Sequence, residues 1–104
     1  MRKVRLADLD RGGDSVLAGV APAYQVKDGG VAVLAGGERS HSEGHHEHAT
    51  PEAFLILEGR GTAEIDGTAT EIAAGDVLIV EAGEDHHLVS SVRSPLVTVW
   101  LHLG

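Results

Sequence analysis

Residues 40–52 read SHSEGHHEHATPE, and AFLILEG follows at 53–59. The first thirteen positions hold four histidines and three glutamates, and the next seven are mostly apolar. A ligand-rich segment that runs straight into a β-rich one has two readings. It is a polar, solvated loop with chance histidines, or it is the first half of a metal site. In a strand, side chains two apart point the same way, so His46 and His48 would share a face while Glu47 points away. With Glu52 a little further on, two imidazoles and a carboxylate could converge on one cation. Neutral imidazole suits Zn, Fe, Ni, Cu and Mn, and the carboxylate adds charge and hardness. On this segment alone the two readings are level.

A second cluster breaks the tie. Residues 75–90 read GDVLIVEAGEDHHLVS: a glycine turn, an apolar strand, another tight glycine turn, then His86 at the start of a returning strand. A barrel can bring that position beside the first cluster, which would give three imidazoles and one carboxylate.

These residues resemble the cupin superfamily. His46, His48, Glu52 and Gly59 match the core of the first cupin motif (H-x-H, three or four residues, E, six residues, G) at every spacing. Ser40 stands where that motif has its upstream glycine. Gly75, Gly83 and His86 match the second motif, with Glu81 in place of its proline and Ser90 in place of its asparagine. The missing proline bears on turn rigidity and the missing asparagine on strand-end hydrogen bonding. Neither touches a ligand position. The resemblance covers residues 36–90 and implies a jelly-roll, or double-stranded β-helix, barrel. It also implies one divalent transition metal per chain (Mn, Fe, Ni, Zn, Co or Cu) on His46, His48, Glu52 and His86. Four protein ligands leave a position open, the mark of a catalytic site. Small single-domain cupins include dioxygenases, isomerases, lyases, polyketide cyclases and proteins that open unsaturated sugar acids, and the fold does not choose among them. The expectation is a metal-dependent enzyme acting on a small oxygenated molecule (an enol, hydroxyketone, phenol or sugar-derived compound). A non-catalytic cupin that senses or sequesters a metal or small ligand is the alternative.

The rest of the chain agrees with an all-β reading. Its 104 residues are expected to form one domain, 1–104, with an aliphatic core, since Phe54, Tyr24 and Trp100 are the only aromatic residues of their types. Short β-rich runs recur: VLAGV (16–20), AYQV (23–26), VAVLAG (31–36), AFLILEG (53–59), TAEID (62–66), ATEI (69–72), DVLIV (76–80), HLVSS (87–91) and LVTVWLHL (96–103). Turn residues separate them, among them Gly-Gly at 12–13, 29–30 and 36–37, and Asp66-Gly67, a hairpin signal. AFLILEG and DVLIV are apolar at nearly every position, as strands covered on both faces would be.

A formal charge of −8 argues against nucleic acid and anionic membrane surfaces as partners. The absence of cysteine excludes disulfides, thiolate ligands and a cysteine nucleophile. It also suits the cytoplasm, the expected location. A small-molecule substrate or ligand is the expected partner, together with a second copy of the chain. That homodimer is expected because Val77–Val80 and Phe54–Leu57 offer more apolar surface than one small core needs, with VRL at 4–6 a candidate to extend the partner's sheet.

Several polar residues remain. His45 and His87 each neighbour a proposed ligand and are expected on the opposite face, at the surface or an interface. His41 could reach the barrel mouth as a substrate contact. His102 shares a face with Trp100 and Thr98 on the last run, where a pocket role is level with a core or dimer role. His41 and His102 are thus the candidate catalytic residues beyond the metal ligands. Glu38, Glu43 and Glu47 read as a solvated rim, and Asp76 as a turn cap acting through its own backbone. Arg39 gives the only support for an anionic substrate, so a neutral or metal-chelating one fits better.

Overall fold

The computed structural model describes residues 1–9, 12–13, 24–40 and 47–104. Among them the short apolar runs become eight strands: β1 (Arg2–Arg5), β2 (Val26–Leu34), β3 (Glu52–Glu58), β4 (Arg60–Ile65), β5 (Thr68–Ala73), β6 (Asp76–Val80), β7 (His86–Ser90) and β8 (Leu96–Leu103), with a short 3-10 turn at Leu6–Asp8. They form a five-stranded sheet in the order β1-β6-β3-β8-β2 and a three-stranded sheet in the order β5-β4-β7. The architecture is the expected all-β jelly roll.

Alternation explains how the sheets close on one core. The inner face of the large sheet carries Leu34, Phe54, Ile56, Leu78, Val80 and Leu96, and that of the small sheet carries Ala63, Ile72 and Leu88, all in one buried cluster. A second apolar cluster (Ala53, Val77, Ile79 and Leu103) forms from the odd-numbered positions of the large sheet. DVLIV thus has both faces covered, and all five residues of β6 are buried. AFLILEG does so only in part: β3 emerges at Leu57, which is 50% exposed.

The turns follow their sequence signals. Asp66 and Gly67 both have positive φ (48° and 83°) between β4 and β5, as a type I′ hairpin requires. Gly59 turns β3 into β4 at φ 88°, and a Cβ there would run into the Pro95 carbonyl. Asp76 does not cap through its own backbone. Its carboxylate accepts the Ala73 N–H (2.8 Å) and pairs with Arg5 (2.8 Å).

Other expectations give way to the structure. AYQV and VAVLAG are not separate strands, because β2 runs from Val26 through Gly29-Gly30 to Leu34 without a turn. Gly30 is there for space: it lies opposite Trp100, whose indole packs on its backbone. Val4 and Arg5 of VRL pair with this chain's own β6, Val4 opposite Val77, Leu6 enters the 3-10 turn, and β1 stands at the edge of the large sheet. Val77–Val80 are likewise buried within a single chain. The large exposed apolar side chains instead include Val31 and Val33 on edge strand β2. VLAGV (16–20) lies outside the described residues.

A Cβ at residue 30 would stand 2.8 Å from Trp100 Cζ2 and 3.0 Å from Cε2. Gly30→Ala is therefore expected to cost about 1–3 kcal/mol, the usual range for overpacking. Denaturant unfolding of the variant against the parent chain measures this, and equal stability would refute the packing argument.

Candidate metal centre

Glu52 begins β3, and the register of the large sheet sets what surrounds it. It lies opposite Val80 of β6 on one side and His102 of β8 on the other. Its side chain points inward and is buried. A carboxylate in such a place needs compensation, since an isolated buried charge is costly. Three imidazoles supply it. His86 Nε2 lies 2.9 Å and His48 Nε2 3.3 Å from Oε1, while His102 Nε2 lies 3.3 Å from Oε2.

Each histidine arrives from a different part of the chain. His86 starts β7, and the pleat turns it inward beside Phe54, with 6.0 Å between ring centroids. His48 precedes β3 in a segment without regular structure, so the expected strand pairing of His46 with His48 is not how His48 is placed. Its carbonyl instead accepts the Gly83 N–H (2.8 Å), which ties the first motif segment to the turn of the second. His102 comes from β8, and its Nδ1 is bonded to Asp28 Oδ1 (2.9 Å).

Both ring nitrogens of His86 face acceptors: Nδ1 the Glu84 carbonyl at 3.0 Å and Nε2 the Glu52 carboxylate. Only an imidazolium donates to both. Burial is the largest single influence on its pKa and acts to lower it. The Glu52 hydrogen bond, the Glu84 carbonyl and the charges of Glu52 and Asp85 together outweigh burial and raise it above 6.5. The Nδ1–H bond to Glu84 also fixes the ring, leaving Nε2 as the atom that could bind a cation.

The donor chemistry fits a divalent metal. Among the described residues, His48, Glu52 and His102 bring ligand atoms within 4.8 Å of one another. Nitrogen and carboxylate donors around a buried site suit first-row transition metals. The cluster closes one end of a cavity of about 310 Å³, whose walls include Leu34, Phe54, Leu88, Thr98 and Trp100. A larger open cleft of about 720 Å³ lies beside β1, β5 and the ends of β4 and β7. None of these histidines lines it, so the smaller cavity is the one joined to the chemistry.

Of the expected ligands, His48, Glu52 and His86 are brought together, while His46 lies outside the described residues, as do His41, His45 and Glu43. His102 faces the cavity, in the pocket position that was level with a core role. His87 is not a surface histidine. It is buried, bonded to the Ser40 carbonyl (3.1 Å) and Asp85 (3.0 Å), because residues 37–40 add to the free edge of β7 and cover it. Arg39 pairs with Glu64 (2.8 Å) and does not line the cavity. Two site residues were missed: Asp28, the partner of His102, and Ser40, which lines the cavity while its Oγ accepts the Leu88 N–H (2.8 Å). Only the pairing of β2 with β8, which spacing does not reveal, would have pointed to Asp28.

The chain is similar to several known proteins. The chain is 42% identical over 45 residues to the dimethylsulfoniopropionate lyase DddW of Ruegeria pomeroyi, a match covering 43% of this chain and 30% of the lyase. A cupin protein from Bacteroides fragilis superposes with a TM-score of 0.66 at 25% identity, covering 72% of this chain and 63% of that one. A predicted oxalate decarboxylase from Thermotoga maritima does so with a TM-score of 0.62 at 26% identity, over 72% of this chain and 64% of that one. In each case the match spans less than two thirds of the other protein's length. Residues 30–102 match the cupin domain model, a span that holds β3 to β7, all of β8 but its last residue, and every described histidine of the cluster, so the chain belongs to the cupin family.

Proposed function

We propose that this cupin is a metal-dependent enzyme acting on a small oxygenated molecule, with the metal held by His46, His48, Glu52 and His86. The observation that carries the reading is the buried Glu52 carboxylate, met by three imidazoles at the polar end of an apolar cavity. A bound divalent metal would supply a Lewis acid that polarises a substrate oxygen. Glu52 sets the charge at that point, and His86, locked by the Glu84 carbonyl, keeps Nε2 aimed at it. Leu34, Phe54, Leu88 and Trp100 exclude water from the substrate body.

The cavity, at about 310 Å³, stands at the small end of the range for ligand pockets. Among the described residues no arginine or lysine lines it, so none of these favours an anion. A neutral hydroxyketone, enol or phenol, with an apolar body and oxygen at one end, suits it best. A named lyase and a predicted decarboxylase among the similar proteins support an enzyme over a carrier.

His48→Ala is expected to remove both metal and activity, and Glu52→Gln to weaken metal binding moderately while lowering turnover far more. The screen offers enols, phenols, hydroxyketones and unsaturated sugar acids to protein loaded with each metal, following absorbance and oxygen uptake against His48→Ala. Binding without any metal-dependent product, across all these classes, would favour the sensing or sequestering alternative.

Protons and metal compete for His86. Because its folded pKa is raised, the protonated ring contributes stability that is fully present below about 6.5 and is lost as pH rises through the raised value. Metal needs the neutral ring, so its stabilising effect runs the other way and is lost on acidification. Thermal melts from pH 5 to pH 9 should show a metal-induced shift that grows with pH. A shift that grows on acidification would contradict this ligand.

A further inference from the structure

Asp28, His102 and Glu52 stand in one row across β2, β8 and β3, each directly opposite the next. An irregularity in β2 between Val26 and Asp28 sets this register. Asp28 Oδ1 takes His102 Nδ1 at 2.9 Å, and His102 Nε2 comes within 3.3 Å of Glu52 Oε2, while His48 and His86 contact Oε1. We infer that the Asp28–His102 pair supplies a further metal ligand from the last strand, outside both motif segments. This rests on the proposed metal site.

Three features carry the inference. The ligand atoms of His48, Glu52 and His102 already lie within 4.8 Å of one another. Metal–ligand bonds of about 2.0–2.2 Å put donors at most about 4.4 Å apart, so only a few tenths of an ångström of closure are needed. Second, an aspartate on the far nitrogen is the usual outer support of a ligating histidine: it holds the proton on Nδ1 and leaves Nε2 for the metal. Third, His102 is confined on the cavity side, its ring 4.9 Å from that of His48 and 4.8 Å from that of Trp100.

The test uses cobalt(II), which reports its own coordination in visible absorption. Affinity is measured on the full chain by competition with a chromophoric chelator, and metal-free circular dichroism checks folding. Asp28→Asn is expected to weaken cobalt binding about 10-fold or more, as loss of an outer-shell partner does. His102→Ala should weaken it further and change the absorption bands. If His102→Ala keeps the parent's spectrum while His48→Ala abolishes binding, the inference fails and the metal site stands. If His48→Ala also binds cobalt normally, the metal reading itself falls. Should His102→Ala misfold, the exposed Asp28→Asn change decides: unaltered affinity overturns the inference.

Discussion

A carboxylate that folding removes from water must be met by donors or positive charge, or the fold is destabilised by several kcal/mol. Glu52 is that group here. Its two oxygens are met by side chains from a segment just before β3, from β7 and from β8, so one residue fixes the relative positions of both sheets at the cavity end. Shifting β3 by one residue against β8 would turn Glu52 outward and remove the common partner of all three histidines. The register of the large sheet and the integrity of the site are therefore one constraint.

The positions where the chain departs from the cupin motifs are reconciled by hydrogen bonds. Ser40, in place of glycine, receives the Leu88 N–H on its Oγ and so attaches residues 37–40 to β7. Ser90, in place of asparagine, receives the Leu96 N–H at 3.0 Å and joins the end of β7 to the start of β8. Glu81, in place of proline, donates its N–H to Glu84 Oε1 (2.7 Å), and its carbonyl takes the Glu84 N–H (3.2 Å). That turn is held by two bonds where a ring would otherwise stiffen it.

Much of this could be read from residue order, and the remainder has a clear physical origin. Strands β6 and β8 match DVLIV and LVTVWLHL residue for residue, because each run is bounded by turn chemistry and carries an apolar pattern throughout. Glu52 and His86 were legible through motif spacing, and the placement of His48 was not, since its approach depends on the Gly83 bond. Gly29-Gly30 misled, because glycine signals a turn and a close approach equally well. The letters do not show that an indole lies on that backbone. Asp28 and the burial of His87 depend on which strands become neighbours, a property of the closed barrel and not of any segment.

Trp100 has a use beyond walling the cavity. It is the chain's single tryptophan, opposite Phe54 in register and beside His102, while Tyr24, the single tyrosine, packs on the outer cluster of the large sheet. Light absorbed selectively by the indole is thus emitted from one place, at the boundary between apolar wall and polar end. Its emission wavelength follows the wetness of that boundary, and its intensity follows whatever quencher stands near His102. The native fluorescence of this cupin is an optical readout of its own cavity, with no label required.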